Sequence, residues 1–105
     1  MQEFMNSKTI FNKILKESSL DDLSIIAEEI KRKGRLRNVS VENKNGEDYI
    51  LLLRTGESIE IYKESDCFKL IHYTYMDMSE TYTSSLDIDE LIVEIKRLYS
   101  FGYHH

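Results

Sequence analysis

From Arg35 to Ser84 the apolar residues recur with a period of two, and the breaks between them are short and turn-like. That property confines the middle of the chain to consecutive antiparallel strands, because parallel pairing needs a crossover of a dozen or more residues. Val39 and Val41 alternate with polar neighbours, and Asn43-Lys44-Asn45-Gly46 follows with Asn-Gly at a hairpin tip. Tyr49-Ile50-Leu51-Leu52-Leu53 is apolar on both sides, the pattern of a strand inside a sheet. Thr55-Gly56 turns the chain into Ile59-Glu60-Ile61-Tyr62, which alternates again. After Glu64-Ser65-Asp66 a long strand is predicted over Cys67 to Tyr75, with Phe68, Leu70 and His72 on one side. Lys69, Ile71, Tyr73 and Tyr75 take the other side. A turn near Asp77 to Ser79 then leads to a last short strand, Thr81-Tyr82-Thr83.

Helical spacing flanks this region. The segment from about Asn6 to Glu17 reads as a short helix, with Phe4, Ile10, Phe11, Ile14 and Leu15 on one stripe. Ser19-Leu20-Asp21-Asp22 has the form of a capping box, and Leu23, Ile26, Ala27 and Ile30 recur at i, i+3, i+4 and i+7 behind it. Lys31, Arg32 and Lys33 complement the dipole in the last turn, and Gly34 is placed to end the helix. A third helix opens at Asp87-Ile88-Asp89-Glu90 and carries Ile88, Leu91, Ile92, Ile95, Leu98 and Tyr99 on one face, with Gly102 as its expected stop. The expected architecture is α+β: an antiparallel meander of four or five strands, with two N-terminal helices and one C-terminal helix packed on one face. Residues 1–105 form one domain in this reading, since a chain of 105 residues has room for one core. The element order is similar to that of iron-chaperone domains of the frataxin type. That likeness covers order alone, the extra N-terminal helix departs from it, and no family is assigned.

Composition narrows the function classes. An apolar share of 41% with 31% charged residues suits a folded, water-soluble domain rather than a disordered chain or a membrane one. The start, Met1-Gln2-Glu3-Phe4-Met5, lacks a basic region followed by an apolar stretch, and the single cysteine, Cys67, cannot close an internal disulfide. Both features predict a cytoplasmic protein. Catalysis finds little support: His72 is the sole internal histidine, and Cys67, five positions earlier, leaves the opposite face of a straight strand. No glycine-rich phosphate loop and no metal-ligand spacing is present, so no enzyme activity, no cofactor and no metal site is expected.

Three surface features remain. Tyr73, Tyr75 and Tyr82 are expected on the sheet face away from the helices, where tyrosine supplies contact area at low entropic cost. Asp77, Glu80, Asp87 and Asp89 fall in a stretch, Met76 to Glu94, without any Lys or Arg, and would form an acidic rim. Residues 1–41 carry a charge of +2 and residues 42–105 a charge of −7, and the basic pole concentrates in Lys31, Arg32, Lys33, Arg35 and Arg37. The leading expectation is a non-catalytic protein-binding module that occludes or modulates a protein partner, as inhibitors, immunity proteins and accessory proteins of mobile elements do. The alternative is a nucleic-acid-associated regulator using Lys31 to Arg37. An uncovered sheet face or edge also offers a route to a homodimer.

Overall fold

The computed structural model describes residues 20–103, with side chains for residues 23–100. Its order is helix α1 (Leu20–Gly34), strands β1 (Val39–Lys44), β2 (Glu47–Arg54), β3 (Glu57–Lys63), β4 (Phe68–Thr74) and β5 (Met78–Tyr82), then helix α2 (Ile88–Tyr103). The strands form one antiparallel sheet in the order β1-β2-β3-β4-β5, a five-strand meander. The helix expected at Asn6 to Glu17 lies outside the described residues.

The strand links explain the topology. Asn45 and Gly46 both have positive φ, 54° and 84°, as a two-residue hairpin twisted like its strands requires. Gly56, at φ 81°, turns β2 into β3. The β4–β5 link departs from expectation. The Thr74 hydroxyl accepts hydrogen bonds from the amides of Met76 (3.3 Å) and Asp77 (3.0 Å), and the Thr74 amide donates to the Asp77 carbonyl at 2.8 Å. This side-chain turn closes the hairpin directly after Thr74, so the turn comes earlier than Asp77 to Ser79 and β5 begins at Met78. Tyr75 therefore leaves the strand and stands in the turn.

Helix ends show a second departure. The Leu36 amide donates to the Lys31 carbonyl at 3.2 Å, the six-to-one bond of a Schellman motif, and Arg35 rather than Gly34 takes the left-handed position, at φ 54°. Gly34 packs closely instead: a Cβ there would lie 3.2 Å from Leu36 Cδ1, a tight contact, and 3.6 Å from Ile92 Cγ2. At α2, Asp87 is the cap. Its carbonyl accepts from the Leu91 amide and its carboxylate from the Asp89 amide, both at 3.0 Å. The helix runs through Gly102 to Tyr103.

The core joins both helices to one parity of the strands. Leu23, Ile26, Ala27 and Ile30 of α1, and Ile88, Leu91, Ile92, Ile95, Leu98 and Tyr99 of α2, cluster with Val39, Ile50, Leu52, Ile59, Ile61, Phe68 and Leu70. The register places these strand residues in line, with Val39 opposite Leu52, Leu52 opposite Ile59, and Ile61 opposite Leu70. Side chains alternate along a strand, so Tyr49, Leu51, Leu53, Glu60, Tyr62, Tyr73, Glu80 and Tyr82 belong to the other parity.

Candidate functional site

The second parity is built around a buried carboxylate. Glu60, only 9% exposed at the middle of β3, accepts hydrogen bonds from the Tyr62 hydroxyl (2.8 Å), the Tyr73 hydroxyl (3.4 Å) and the Lys44 ammonium (3.0 Å). Tyr62 stacks on Tyr49 with ring centroids 5.2 Å apart, and Lys44 and Lys69 sit over the Tyr49 and Tyr62 rings at 5.3 and 5.1 Å. Burial, then the hydrogen bond to Glu60, pushes the Tyr62 phenol up to about 12. Burial and the Glu60 charge raise the Tyr73 phenol as well. The Lys44 ammonium is held above its ordinary value by its hydrogen bond to Glu60. Glu60 thus ties the Tyr62 and Tyr73 phenols to the Lys44 ammonium, with Tyr49 stacked on Tyr62. None of Glu60, Tyr62, Tyr49 or Lys44 stood out in the sequence, where Glu60 looks like an outward-facing strand residue.

The three tyrosines singled out from the sequence occupy different settings. Tyr73 is half-buried, pairs across the strands with Ser58 and Met78, and leans on Glu60. Tyr82 is exposed, pairs with Lys69, and donates its hydroxyl to Glu80, whose bond raises the phenol. Four residues separate Lys69 from Tyr73 along β4, so Tyr73 and Tyr82 share a parity but stand about 13 Å apart. Tyr75 is 87% exposed in the turn, beside Met76 at 78%. With Met78, also exposed, these residues gather apolar surface at the β4–β5 hairpin, and exposed Leu53 lies on β2, three strands from Met78 in the same row.

The acidic residues divide in the same way. Asp77 lies in the β4–β5 turn, where its carboxylate accepts from the Met78 amide at 2.8 Å, and Glu80 lies on β5. Asp87 caps α2, and Asp89 stands 3.6 Å from Lys33 of α1. Glu90 reaches back to the Ser84 amide (2.6 Å), the Ser84 hydroxyl (2.9 Å) and the Ser85 hydroxyl (3.2 Å), which holds its carboxyl below the usual range. One acidic stretch therefore serves two places: Asp77 and Glu80 beside the exposed apolar residues, Asp87 and Asp89 at the start of α2.

The basic stretch is largely neutralised. Lys31 pairs with Glu28 (3.3 Å), Arg32 with Glu29 (2.8 Å), and Lys33 with Glu29 (3.9 Å) and Asp89 (3.6 Å). Arg35 and Arg37 lie beyond the helix, in the loop to β1.

On the core parity, His72 and Glu57 form a buried pair. The His72 Nε2 lies 2.7 Å from Glu57 Oε1, the two side chains being 7% and 5% exposed, and Arg54 Nε lies 3.7 Å from the other Glu57 oxygen. The Arg54 guanidinium stacks on the Tyr99 ring at 4.4 Å. The sequence singled out His72 but not its partner, which is 15 residues away and meets it only across paired strands. Cys67 is partly buried, and burial with the nearby Asp66 and Glu64 charges pushes its thiol up. Among the described residues no group of three or more His, Cys, Asp or Glu is placed to hold a metal ion, and no helix is long and apolar enough to cross a membrane. Comparison with protein-family models, with curated proteins and with solved structures returns no match.

Proposed function

We propose that the protein is a non-catalytic binding module that docks a protein partner on the β4–β5 end of its sheet and acts by occluding that partner. Both helices pack on one face of the meander in this reading, and the opposite face meets the partner. The observation that carries it is the group of exposed Tyr75, Met76 and Met78 at the β4–β5 hairpin, with exposed Tyr82 at the far end of β5. Large apolar side chains grouped on a surface and bordered by charge are the ordinary mark of an interaction site. Asp77 and Glu80 border this group, and Met76 to Glu94 holds no Lys or Arg. The complementary partner therefore presents an apolar centre with a basic rim. Asp87 and Asp89, at the start of α2, extend the proposed acidic rim.

Behind the exposed residues, the Glu60 network holds Tyr73 and Tyr62 in place, so the partner meets a surface whose ordering entropy is largely spent on folding. Occlusion without chemistry is the mode of action of inhibitors, immunity proteins and mobile-element accessory proteins, and a cytoplasmic setting accords with the lone unpaired cysteine. The nucleic-acid reading is the weaker one, because Lys31, Arg32 and Lys33 are matched by carboxylates within 4.0 Å.

The test compares capture from a native lysate by the wild type and by a Tyr75→Ala/Met76→Ala variant. Loss of one defined, salt-sensitive partner from the variant supports the reading. Equal capture by both proteins refutes it.

A further inference from the structure

A cleft of about 470 Å³ is lined by Gly34, Arg35, Leu36, Arg54, Lys96, Tyr99 and Ser100. We propose that it is a binding site for a small phosphorylated molecule, the phosphoryl group being held by Arg35, Arg54 and Lys96. Three cations reach this cleft from three places remote in sequence: the loop after α1, the end of β2 and the second half of α2. Among the described residues neither Arg35 nor Lys96 forms an ion pair, unlike Lys31, Arg32 and Lys33 one turn earlier. Arg35 and Lys96 add positive charge at the cleft to the Arg54–Glu57 pair, which raises the local potential and attracts an anion.

Arg54 is held from two sides. Its guanidinium lies over the Tyr99 ring at 4.4 Å, and Glu57, itself locked at 2.7 Å from His72, stands 3.7 Å from its Nε. Such fixing holds the guanidinium in one orientation at the cleft, and a planar, oriented guanidinium is the group suited to phosphate oxygens. The buried His72–Glu57 pair is then the support of an arginine at the cleft.

A second observation points the same way. Tyr99 is 6% exposed and lines the cleft, yet among the described residues its hydroxyl has no hydrogen-bond partner. A buried phenol ordinarily finds one. Burial and the Glu57 charge push its pKa to about 12, and the protonated phenol is a donor for an anionic acceptor. The volume falls within the ordinary range for small-molecule pockets and exceeds what a bare ion fills. A long nucleic acid is disfavoured, because the cations meet at one concavity and the chain carries a net charge of −5.

The experiment follows backbone amide resonances of the full-length, isotope-labelled chain at low ionic strength while inorganic phosphate, adenosine monophosphate or a short single-stranded RNA is added. Expected are saturable shifts at Gly34, Leu36 and Ser100, with millimolar affinity for phosphate and at least fivefold tighter binding of the nucleotide. Arg35→Gln/Lys96→Gln, both at exposed positions, should weaken binding at least tenfold with an otherwise unchanged spectrum. Tyr99→Phe should weaken it severalfold. Shifts that never saturate, or that are equal in the double variant, overturn the proposal. Tighter binding of the RNA than of the nucleotide, with a steeper salt dependence, overturns it in favour of a nucleic-acid surface.

Discussion

Each side of the sheet buries one glutamate, and the two are treated differently. Glu57, at the first position of β3 on the core parity, is bound to His72 and Arg54 at the border of a layer of Ile, Leu and Phe. Glu60, at the middle of β3 on the other parity, is bound to two phenols and a lysine in an aromatic layer. Each side also carries a tyrosine raised to about 12: Tyr99 by burial and the Glu57 charge, Tyr62 by burial and its bond to Glu60. The lesson concerns what surrounds the carboxylate. On the core side, aliphatic packing supplies the stability and the ionic group is confined to an end. On the other side, the polar network itself organises the surface, and the apolar residues at its border stay exposed.

The comparison breaks most visibly on truncation. Phe68→Ala, in the core, should lower unfolding stability by about 3–5 kcal/mol in urea denaturation. Leu53→Ala, on the exposed side, should change it by about 0.5 kcal/mol or less. Similar losses at both positions would mean that the two sides are equally sealed.

Removing the carboxylates sharpens the contrast. Glu57→Ala leaves His72 and Arg54 without their anion and should cost about 2–3 kcal/mol. Glu60→Gln keeps an acceptor for the phenols and should cost about 1 kcal/mol, read in the same denaturation series.

Alkaline titration tests both sides together. A phenol whose folded pKa is raised binds its proton more tightly in the folded chain than in the unfolded one. The stability it contributes is intact below pH 10 and is lost as pH rises from about 10 to about 12. Ultraviolet titration of the folded protein should show two late phenol transitions, and Tyr62→Phe should remove one while leaving that of Tyr99.

The smallest expected change is at the hairpin tip. Tyr75→Ala should shift stability by no more than about 0.5 kcal/mol by thermal unfolding, while removing the proposed partner contact. A large loss of stability there would mean that Tyr75 packs within the fold.

Much of this architecture is legible along the chain. The period-two pattern, the Asn45-Gly46 hairpin and the Asp87 cap each depend on residues within a few positions of one another, and all three are present. Local rules misplaced three details, one of them the stop expected at Gly102, through which α2 continues to Tyr103. The Thr74 side chain closes its turn earlier than the hydrophobic pattern implied, which moves Tyr75 off the sheet. Arg35, not a glycine, adopts the left-handed position after α1, while Gly34 packs against Leu36 and Ile92.

The sequence by itself determined the alternation, the turns and the caps, hence which side chains share a side of the sheet. Only the tertiary structure decided which charges are matched and which converge: His72 on Glu57, three donors on Glu60, Asp89 on Lys33, and Arg35, Arg54 and Lys96 around one cleft. The physical reason is reach. Backbone periodicity acts over a few residues, whereas an ion pair or a shared cavity depends on strand register and helix placement that bring distant positions within a few ångströms.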